Sequence, residues 1–374
     1  MSKLLGATRV RKALIVGTIA GMALSSVVLA SAASAKVKLP KSGVEKPPAG
    51  TVTETGSTLL YPLFNLWASG YGTTYPSVTI QTAGTGSGTG ITDASNGTAD
   101  IGASDAYLAP SNIETAPTLK NIPLAISAQM ITYNLPGITA HLKLTGKVLS
   151  SIYQGKITTW NDPAIANLNP GITLPSTPIV TLHRSDSSGD TFLFTTFLSD
   201  TDASGWGKSI SYNTTVAWPN APGNQGEDGN SGMVAGCKAT PGCVAYVGVS
   251  YLTQALQAGL GYAQLQNKKG KYELPTPAAI ASEAASFAKK TPSSGSISLI
   301  YGPATTGYPI VNYEYAIVNA QQSSSATAKG IRSVLEWAIN PKDGNATSYL
   351  SQVNFQALPA SIEAKSLKQI EGIS

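Results

Sequence analysis

The sequence predicts an α/β fold, because segments with strand character alternate with segments with helix character along most of the chain. The 374 residues are 42% hydrophobic and only 12% charged, a composition typical of globular proteins and not of long disordered ones. This length is sufficient for two domains or one large domain. The sequence shows no internal repeat of fixed period, and no apolar run after residue 35 is long enough to span a membrane.

Residues 1–35 have the pattern of an export signal. Four basic side chains between residues 3 and 12 precede an apolar run over residues 13–30, and a small-residue cleavage site ends at Ala35. An uncleaved N-terminal membrane anchor is the alternative, because the apolar run can cross a bilayer when it is tilted. Both interpretations place the rest of the chain outside the cytoplasm. Residues 36–50 are rich in proline and lysine and are predicted to form a flexible linker.

The charges and the two cysteines fit an exported protein. Four of the 25 Lys and Arg residues lie in the signal segment, so the remaining 21 nearly balance the 20 Asp and Glu residues and give no indication of a nucleic-acid partner. Cys237 and Cys243 flank a Pro-Gly pair and are predicted to form a small disulfide loop, with two free thiols as the alternative. Because no cysteine stands at the cleavage point, a lipoprotein anchor of the usual type is not expected.

Helices and strands are predicted from hydrophobic periodicity and turn residues. The predicted helices cover residues 59–71, 91–96, 142–160 with 155–160 as its exit, 192–200, 278–289 and 326–339. The predicted strands cover residues 78–80, 99–106, 122–133, 179–182, 244–248, 298–300 and 310–311. Loops are predicted at residues 84–90, 161–178 and 219–232. Ser57 or Thr58 is the expected N-cap of the first helix.

Between Gly84 and Gly90, four glycines alternate with hydroxyl-bearing residues. Neither common nucleotide-binding motif fits this segment. Thr89 stands where the dinucleotide fingerprint requires its third glycine, and the segment lacks the lysine of a phosphate loop. Its backbone can approach a ligand closely, and Ser87 offers a hydroxyl. A flexible surface loop is the alternative interpretation.

The strongest candidate for a site is the polar turn 183–191, which connects the predicted strand 179–182 to an apolar helical run. Free amide N–H groups and the positive end of a helix dipole meet at such a turn, which favours an anion. Arg184 adds a guanidinium group, although an ordinary capped helix remains the alternative. Asp105 stands at the carboxyl end of another predicted strand, where ligands commonly bind in α/β sheets. A helix cap or a salt bridge is the alternative role for Asp105.

Catalytic chemistry has little support in the sequence. The two histidines, His141 and His183, have no neighbours at metal-ligand spacing, so neither a metal ion nor another cofactor is expected. Ser188 lacks the frame of a serine-hydrolase nucleophile, and no histidine follows His183. Hydroxyl groups, glycines, one arginine and several aspartates suit the binding of a small oxyanion instead.

In their order and spacing, these segments resemble the phosphate-binding protein of the bacterial high-affinity phosphate ABC importer. The resemblance is carried by Gly56-Ser57-Thr58, Gly84–Gly90, Gly102-Ala103-Ser104-Asp105 and Arg184-Ser185-Asp186-Ser187-Ser188-Gly189. Further similar segments are Trp160-Asn161-Asp162, Leu168-Asn169-Pro170-Gly171, Leu174-Pro175 and Tyr308-Pro309-Ile310. The resemblance extends over essentially the whole chain after residue 50.

This resemblance implies a two-lobed periplasmic binding protein fold (type II), with mixed sheets flanked by helices and the ligand in the cleft between the lobes. Lobe I would comprise residues 51–129 and 307–374, and lobe II residues 130–306. The crossings would lie near residues 127–133 and 306–312. The implied function is capture of inorganic phosphate by a monomer and its delivery to the membrane permease of the importer.

Carried over residue by residue, the resemblance also implies a ligand-binding set. Its members are Thr58, the backbone of Leu59, Ser87, Asp105, Arg184, Asp186, Ser188 and Gly189. Asp186 would hold Arg184 and temper its charge. Asp105 would accept a proton that phosphate carries near neutral pH and sulfate does not, and such a site rejects an analogue without the proton by roughly 10⁴ to 10⁵.

The chain departs from a common version of the family pattern at Asp190, which stands where many members have threonine, while Thr191 is displaced by one position. We hypothesise that Asp190 accepts a second phosphate proton, so that binding weakens as pH rises. A cap of its helix outside the site is the alternative. Two other functions stay open: an exported phosphatase or phosphoryl-transfer enzyme using the same anion site, and a binding protein for sulfate or molybdate.

Overall fold

The computed structural model describes residues 44–374, so the predicted export signal and residues 36–43 of the predicted linker lie outside the described part. The strands are β1 (Gly50–Gly56), β2 (Val78–Gly84), β3 (Ile101–Ser104), β4 (Leu119–Tyr133), β5 (Lys143–Leu144), β6 (Val180–Arg184), β7 (Gln225–Glu227), β8 (Cys243–Gly248), β9 (Gly261–Tyr262), β10 (Gln264–Gln266), β11 (Tyr272–Glu273) and β12 (Val311–Asn319). Among residues 44–374, no helix is long and apolar enough to cross a membrane.

The α-helices are α1 (Tyr61–Thr74), α2 (Ser87–Asn96), α3 (Pro110–Thr115), α4 (Gly146–Tyr153), α5 (Pro163–Ala166), α6 (Gly189–Thr201), α7 (Gly229–Ala239), α8 (Leu252–Gln257), α9 (Pro277–Phe287), α10 (Ser325–Ile339), α11 (Thr347–Leu350) and α12 (Ala360–Ile370). A π-helical turn (Ala203–Gly207) and two 3₁₀ turns (Val249–Tyr251 and Ser351–Val353) complete the regular structure.

Most strands belong to one mixed sheet in the order β2-β1-β3-β12-β4-β8-β6-β7, with β9 paired to β4. The fifteen-residue strand β4 joins its two halves, because residues 119–128 pair with β12 and residues 129–133 pair with β8. Helices pack on both halves, such as α2 on β1 and β3 and α7 on β8 and β6. The fold is therefore the predicted α/β class with mixed sheets and two lobes. A separate small sheet has the order β11-β10-β5.

Strand β4 forms the centre of the molecule because fourteen of its fifteen residues are buried and most of these are apolar. A register shift occurs between Glu314 and Tyr315 of β12, where Tyr315 pairs with Pro123. Proline has no N–H to donate to the ladder, so an irregularity at this position is expected. The shift lies next to the site described below.

Several sequence predictions are confirmed with small shifts of their ends. These are the helices predicted at 59–71, 192–200, 278–289 and 326–339 and the strands predicted at 78–80, 99–106, 122–133, 179–182 and 244–248. The strand predicted at 310–311 extends to Asn319. Strand β1 was not predicted, because its alternating Thr and Glu residues lie next to the polar linker.

The predicted loop at 84–90 is wrong, because Gly84 ends β2 and α2 begins at Ser87. A Cβ atom at Gly90 would lie 2.7 Å from the carbonyl oxygens of Thr55 and Ala103. The glycine therefore permits close packing of α2 on β1 and β3, and does not make the segment flexible.

The predicted loop at 219–232 is also wrong in its second half. Residues 225–227 pair with β6 as an edge strand, and α7 begins at Gly229. Neither feature has a strong local signal, because β7 contains glycine and depends on the tertiary pairing with β6.

Residues 298–300 do not form the predicted strand. Leu299 and Ile300 are buried within irregular chain, and a short apolar run of this kind does not reveal whether it pairs. The predicted helix 142–160 is shorter in the structure, because Lys143 and Leu144 pair with β10 and Thr145 caps α4 by accepting a hydrogen bond from Val148 N at 3.1 Å. The predicted loop 161–178 contains the four-residue helix α5.

The described end of the predicted linker is ordered against the body of the protein. Arg332 Nε donates to Glu45 Oε2 at 2.8 Å, Glu45 N donates to Glu336, and Pro47 is buried. The prediction of a flexible linker is therefore wrong for residues 44–50. Their contacts with α10 could not be predicted from the local composition of the sequence.

Candidate functional site

The predicted site residues lie after the carboxyl ends of four strands. Ser57 and Thr58 follow β1, Ser87 follows β2, Asp105 follows β3, and the turn with Asp186 follows β6. Strands β1, β2 and β3 run parallel to one another, so their ends meet at one edge of the sheet. This edge is where α/β sheets place ligands.

Arg184 is 3% exposed and faces two carboxylates. Its Nε and Nη2 donate to the two oxygens of Asp186 at 2.6 and 2.5 Å, and Nη1 donates to Asp190 Oδ2 at 2.9 Å. Burial acts to lower the pKa of Arg184, but the hydrogen bonds and charges of Asp186 and Asp190 raise it above its ordinary value. The guanidinium is thus a fixed positive charge, and two of its five N–H groups are left for another acceptor.

Asp105 is 2% exposed and is surrounded by hydroxyl donors. Ser57 Oγ donates to Asp105 Oδ1, and Ser87 Oγ lies 3.4 Å from Oδ2. Burial first and the charge of Asp190 second raise the pKa of Asp105 to about 7. Asp105 forms no ion pair within residues 44–374, so the salt-bridge alternative does not apply.

Asp190 is fully buried and is not the cap of α6, because Ser188 occupies the N-cap position. Besides Arg184, Asp190 accepts from Gln129 Nε2 at 3.0 Å and from Asn230 Nδ2 at 2.6 Å. Burial raises its pKa, while Arg184 acts in the opposite direction. The carboxylate therefore lies within the cluster, in contrast to the alternative that places it outside.

Thr58 and Leu59 connect the first half of the sheet to the second. Thr58 Oγ1 accepts from Asn230 N at 3.2 Å and from Asn230 Nδ2 at 2.9 Å. The carbonyl of Leu59 accepts from Ser250 at 2.8 Å. The predicted N-cap is wrong, because α1 begins after Leu60 without a side-chain cap, and Ser57 Oγ instead accepts from Leu60 N in the preceding turn.

The N-termini of α2 and α6 meet at this cluster. A Cβ atom added at Gly189 would lie 2.4 Å from both Asp105 Oδ2 and Ser87 Oγ. Ser188 Oγ accepts from Thr191 N at 3.4 Å. The structure therefore brings all nine predicted residues together: Thr58, Leu59, Ser87, Asp105, Arg184, Asp186, Ser188, Gly189 and Asp190.

Four residues of the cluster were missed from the sequence: Ser57 as a donor to Asp105, Gln129, Asn230 and Glu314. Gln129 had a signal, since it is an amide within the apolar run of β4. Asn230 lay in a segment interpreted as loop, and Glu314 belongs to a strand of which only the first residue, Val311, was predicted.

The cluster combines one guanidinium, several hydroxyls and two helix N-termini with carboxylates that can accept protons. Such a set can hold an oxyanion and discriminate by its protonation state. Within residues 44–374, no group of three or more His, Cys, Asp or Glu could hold a metal ion. The predicted disulfide is confirmed between Cys237 and Cys243, with a Cα–Cα distance of 5.3 Å.

Comparison with known proteins assigns the family. Residues 43–342 match the PBP superfamily domain. The chain is 33% identical to the phosphate-binding protein PstS of Methanocaldococcus jannaschii, over 88% of each chain. It is 32% identical to PstS of Pasteurella multocida, over 85% of this chain and 89% of that protein.

Among solved structures, a high affinity periplasmic phosphate-binding protein bound with phosphate (PfluDING) superposes with a TM-score of 0.67 at 20% identity. The match covers 84% of this chain and 92% of that one and supports the two-lobed fold. From the family match and the identities above 30%, the chain belongs to the PBP superfamily and, within it, to the family of PstS phosphate-binding proteins.

Proposed function

We propose that this protein binds inorganic phosphate outside the cytoplasm and delivers it to the membrane permease of a phosphate ABC importer. Its relatives are phosphate-binding proteins. The observation that carries the proposal is the contact of Gly189 with Asp105 and Ser87, which brings two helix N-termini, a buried arginine and a proton-accepting carboxyl group to one point.

Phosphate binding requires neutralisation of charge and a full set of donors. The two N–H groups of Arg184 not used by Asp186 and Asp190 supply charge-assisted hydrogen bonds. Hydroxyls of Thr58, Ser87 and Ser188 and the amide groups at the start of α2 and α6 supply the remaining donors. Leu59 contributes its backbone N–H in this arrangement.

Asp105 determines which oxyanion is accepted. Phosphate near neutral pH carries a proton, which it donates to the Asp105 carboxylate. Sulfate carries none, so its oxygens would face a buried carboxylate without a shared proton. A site with this requirement rejects the unprotonated analogue by roughly 10⁴ to 10⁵.

Strand β4 suits a hinge between the lobes because it passes from one half of the sheet to the other, and β12 begins at the same boundary, where Val311 pairs with Ala128. We place lobe I at residues 51–129 and 307–374 and lobe II at residues 130–306. Closure around phosphate would bring Thr58 of lobe I and Asn230 of lobe II into the contact described above. The permease would read this closed state as occupancy.

The proposal assigns no chemistry to the protein, which acts as a monomer without cofactor or nucleic-acid partner. Residues 1–35 direct export, either as a cleaved signal or as a retained membrane anchor. The exported phosphatase or phosphoryl-transfer enzyme is the less favoured function, because His141 and His183 hydrogen-bond to Tyr262 and Asn224 and neither is paired with a hydroxyl of the cluster. Asp105 likewise disfavours a sulfate or molybdate binding protein.

Calorimetry with the purified protein tests the proposal. We expect tight binding of phosphate at neutral pH and binding of sulfate that is weaker by roughly 10⁴ or more. Sulfate affinity equal to phosphate affinity would overturn the assignment, and turnover of a phosphate ester would favour the phosphatase.

A further inference from the structure

We propose that Glu314 is a positioning residue of the phosphate site, a neutral carboxylic acid that donates a hydrogen bond to the Asp105 carboxylate. This inference rests on the proposed function. By holding the proton itself, Glu314 keeps Asp105 ionised and oriented as an acceptor. Glu314 thereby contributes to the choice of phosphate over sulfate without contacting either anion.

The strand register brings the two carboxyl groups together. Strand β12 runs antiparallel to β3 with Tyr315 opposite Ser104. Glu314, the residue before Tyr315, therefore lies next to Asp105, the residue after Ser104. Glu314 is fully buried, and this register places its side chain beside that of Asp105. A carboxyl–carboxyl hydrogen bond exists only when one of the two groups carries a proton.

The remaining contacts of Glu314 indicate which oxygen carries the proton. Oε1 accepts from Ser127 Oγ and from Asn312 Nδ2, the latter at 3.0 Å. No donor within residues 44–374 reaches Oε2. An ionised glutamate would leave this buried oxygen without a partner, whereas a protonated Oε2 becomes a donor towards Asp105.

The charges that face the pair also require protons. Arg184 of β6 is the cation of the cluster, and it pairs with Asp186 and Asp190. Asp105 and Glu314 are the two further carboxyl groups of the cluster and do not pair with Arg184. If all four carboxyl groups were ionised, one guanidinium would leave a net charge of −3 in a buried site for an anion. The groups that face Glu314 from β4 and from β12 itself, Ser127 and Asn312, are neutral.

The proton belongs to Glu314 more than to Asp105. Burial first and the charge of Asp105 second raise the pKa of Glu314 well above its ordinary value. The hydrogen bond with Glu314 acts on Asp105 in the opposite direction and lowers its pKa, against the effect of burial. The pair titrates as a unit, and the hydroxyl donors at Asp105 together with the unpartnered Oε2 of Glu314 favour the proton on Glu314 in the singly protonated form.

The proposal can be tested through the affinity of the protein for sulfate. Without a donor at position 314, Asp105 takes up a proton at higher pH, and a protonated Asp105 can donate to sulfate. Glu314→Met removes the donor with little change in volume, and Glu314→Gln retains one, since its amide nitrogen can replace Oε2 while its oxygen keeps the contacts of Oε1.

We would measure phosphate and sulfate affinity by calorimetry from pH 5.5 to 8.5. In the wild type, the preference for phosphate falls as pH decreases through the titration of Asp105. We expect Glu314→Met to shift the midpoint of this fall upward by at least about one pH unit, with a gain in sulfate affinity that is small at pH 7 and approaches about tenfold at pH 8.5. Glu314→Gln should keep the wild-type midpoint. An unchanged midpoint in Glu314→Met, or the same shift in both variants, would overturn the proposal.

Infrared spectroscopy keeps the test decisive if Glu314→Met does not fold. At pH 7 the wild type should show a carbonyl band of a protonated buried carboxylic acid that is absent from Glu314→Gln. If the two spectra agree in this region, Glu314 is ionised and the proposal is wrong. Wild-type protein that fails to bind phosphate would instead contradict the proposed function, so the two failures are distinguishable.

Discussion

Arg184 Nη1 lies 2.9 Å from Asp190 Oδ2, and both side chains are 1% exposed. This pair joins the end of β6 to the first turn of α6, and Asn230 adds a hydrogen bond to the same carboxylate oxygen at 2.6 Å. A buried carboxylate with two such donors is fixed in position, so its charge acts on anything bound beside Arg184. Asp190 can therefore act on a bound anion in two ways. It offsets part of the charge of Arg184, and it can accept a proton from the anion.

The first prediction concerns Asp190 and pH. If Asp190 accepts a second phosphate proton, the dihydrogen form binds best, and affinity falls as that form disappears at higher pH. Between pH 7.5 and 9, we expect the phosphate affinity of the wild type to fall more steeply than that of Asp190→Thr. The additional fall is up to about tenfold per pH unit, since one extra proton is bound with the ligand. Calorimetry across this range provides the measurement. Equal slopes for the two proteins would eliminate the second-proton hypothesis.

The second prediction uses the close approach at Gly189. A Cβ atom there would lie 2.4 Å from both Asp105 Oδ2 and Ser87 Oγ, so Gly189→Ala must displace these two side chains or the start of α6. Overpacking of this kind costs about 1–3 kcal/mol, and we expect phosphate affinity to fall by roughly ten- to a hundredfold.

Gly72→Ala is the matched control for this substitution. No atom lies within 4 Å of a Cβ at Gly72, which belongs to α1. We expect the control to keep wild-type affinity and to gain about 0.5–1 kcal/mol of stability. Wild-type affinity in Gly189→Ala would mean that the helix N-termini tolerate separation and do not form the binding site.

Local chemistry explains which parts of the site the sequence could predict. The strand, polar turn and helix around Arg184 lie within about a dozen residues, so their pattern reports directly on their structure. The roles of Asn230 and Glu314 depend instead on pairing between distant segments, β6 with β7 and β3 with β12. The glycines at 84–90 are a local pattern that is easy to see but was misinterpreted, because composition alone does not separate a flexible loop from a tightly packed helix start.

The third prediction concerns the disulfide between Cys237 and Cys243. It ties the C-terminal end of α7 to the start of β8, whereas Asn230 and Gly248 at the other ends of these elements lie near the site. A loop this small stabilises the fold by about 2 kcal/mol through the unfolded chain. The double Cys→Ser variant should lose at least that amount in urea denaturation while its phosphate affinity stays within about twofold. A large loss of affinity at full folding would show that the disulfide also positions Asn230.

The fourth prediction concerns Glu54, which is 3% exposed in β1 and accepts a hydrogen bond from Thr82 through one oxygen only. Burial raises its pKa from 4.5 to about 8. Between these values the native state keeps a proton that the unfolded state loses, so the free energy of unfolding decreases as pH rises through this window. By pH 7 the loss due to Glu54 amounts to about 3 kcal/mol.

Glu54→Gln has the shape of the protonated glutamate and does not titrate. We therefore expect this variant to become more stable than the wild type as pH rises from 5 to 8, with a difference that grows by about 1.4 kcal/mol per pH unit. Urea denaturation at four pH values measures the difference, and Glu114→Gln, at an exposed position in α3, is the control. If the difference between Glu54→Gln and the wild type stays constant with pH, Glu54 is ionised in the native protein despite its burial.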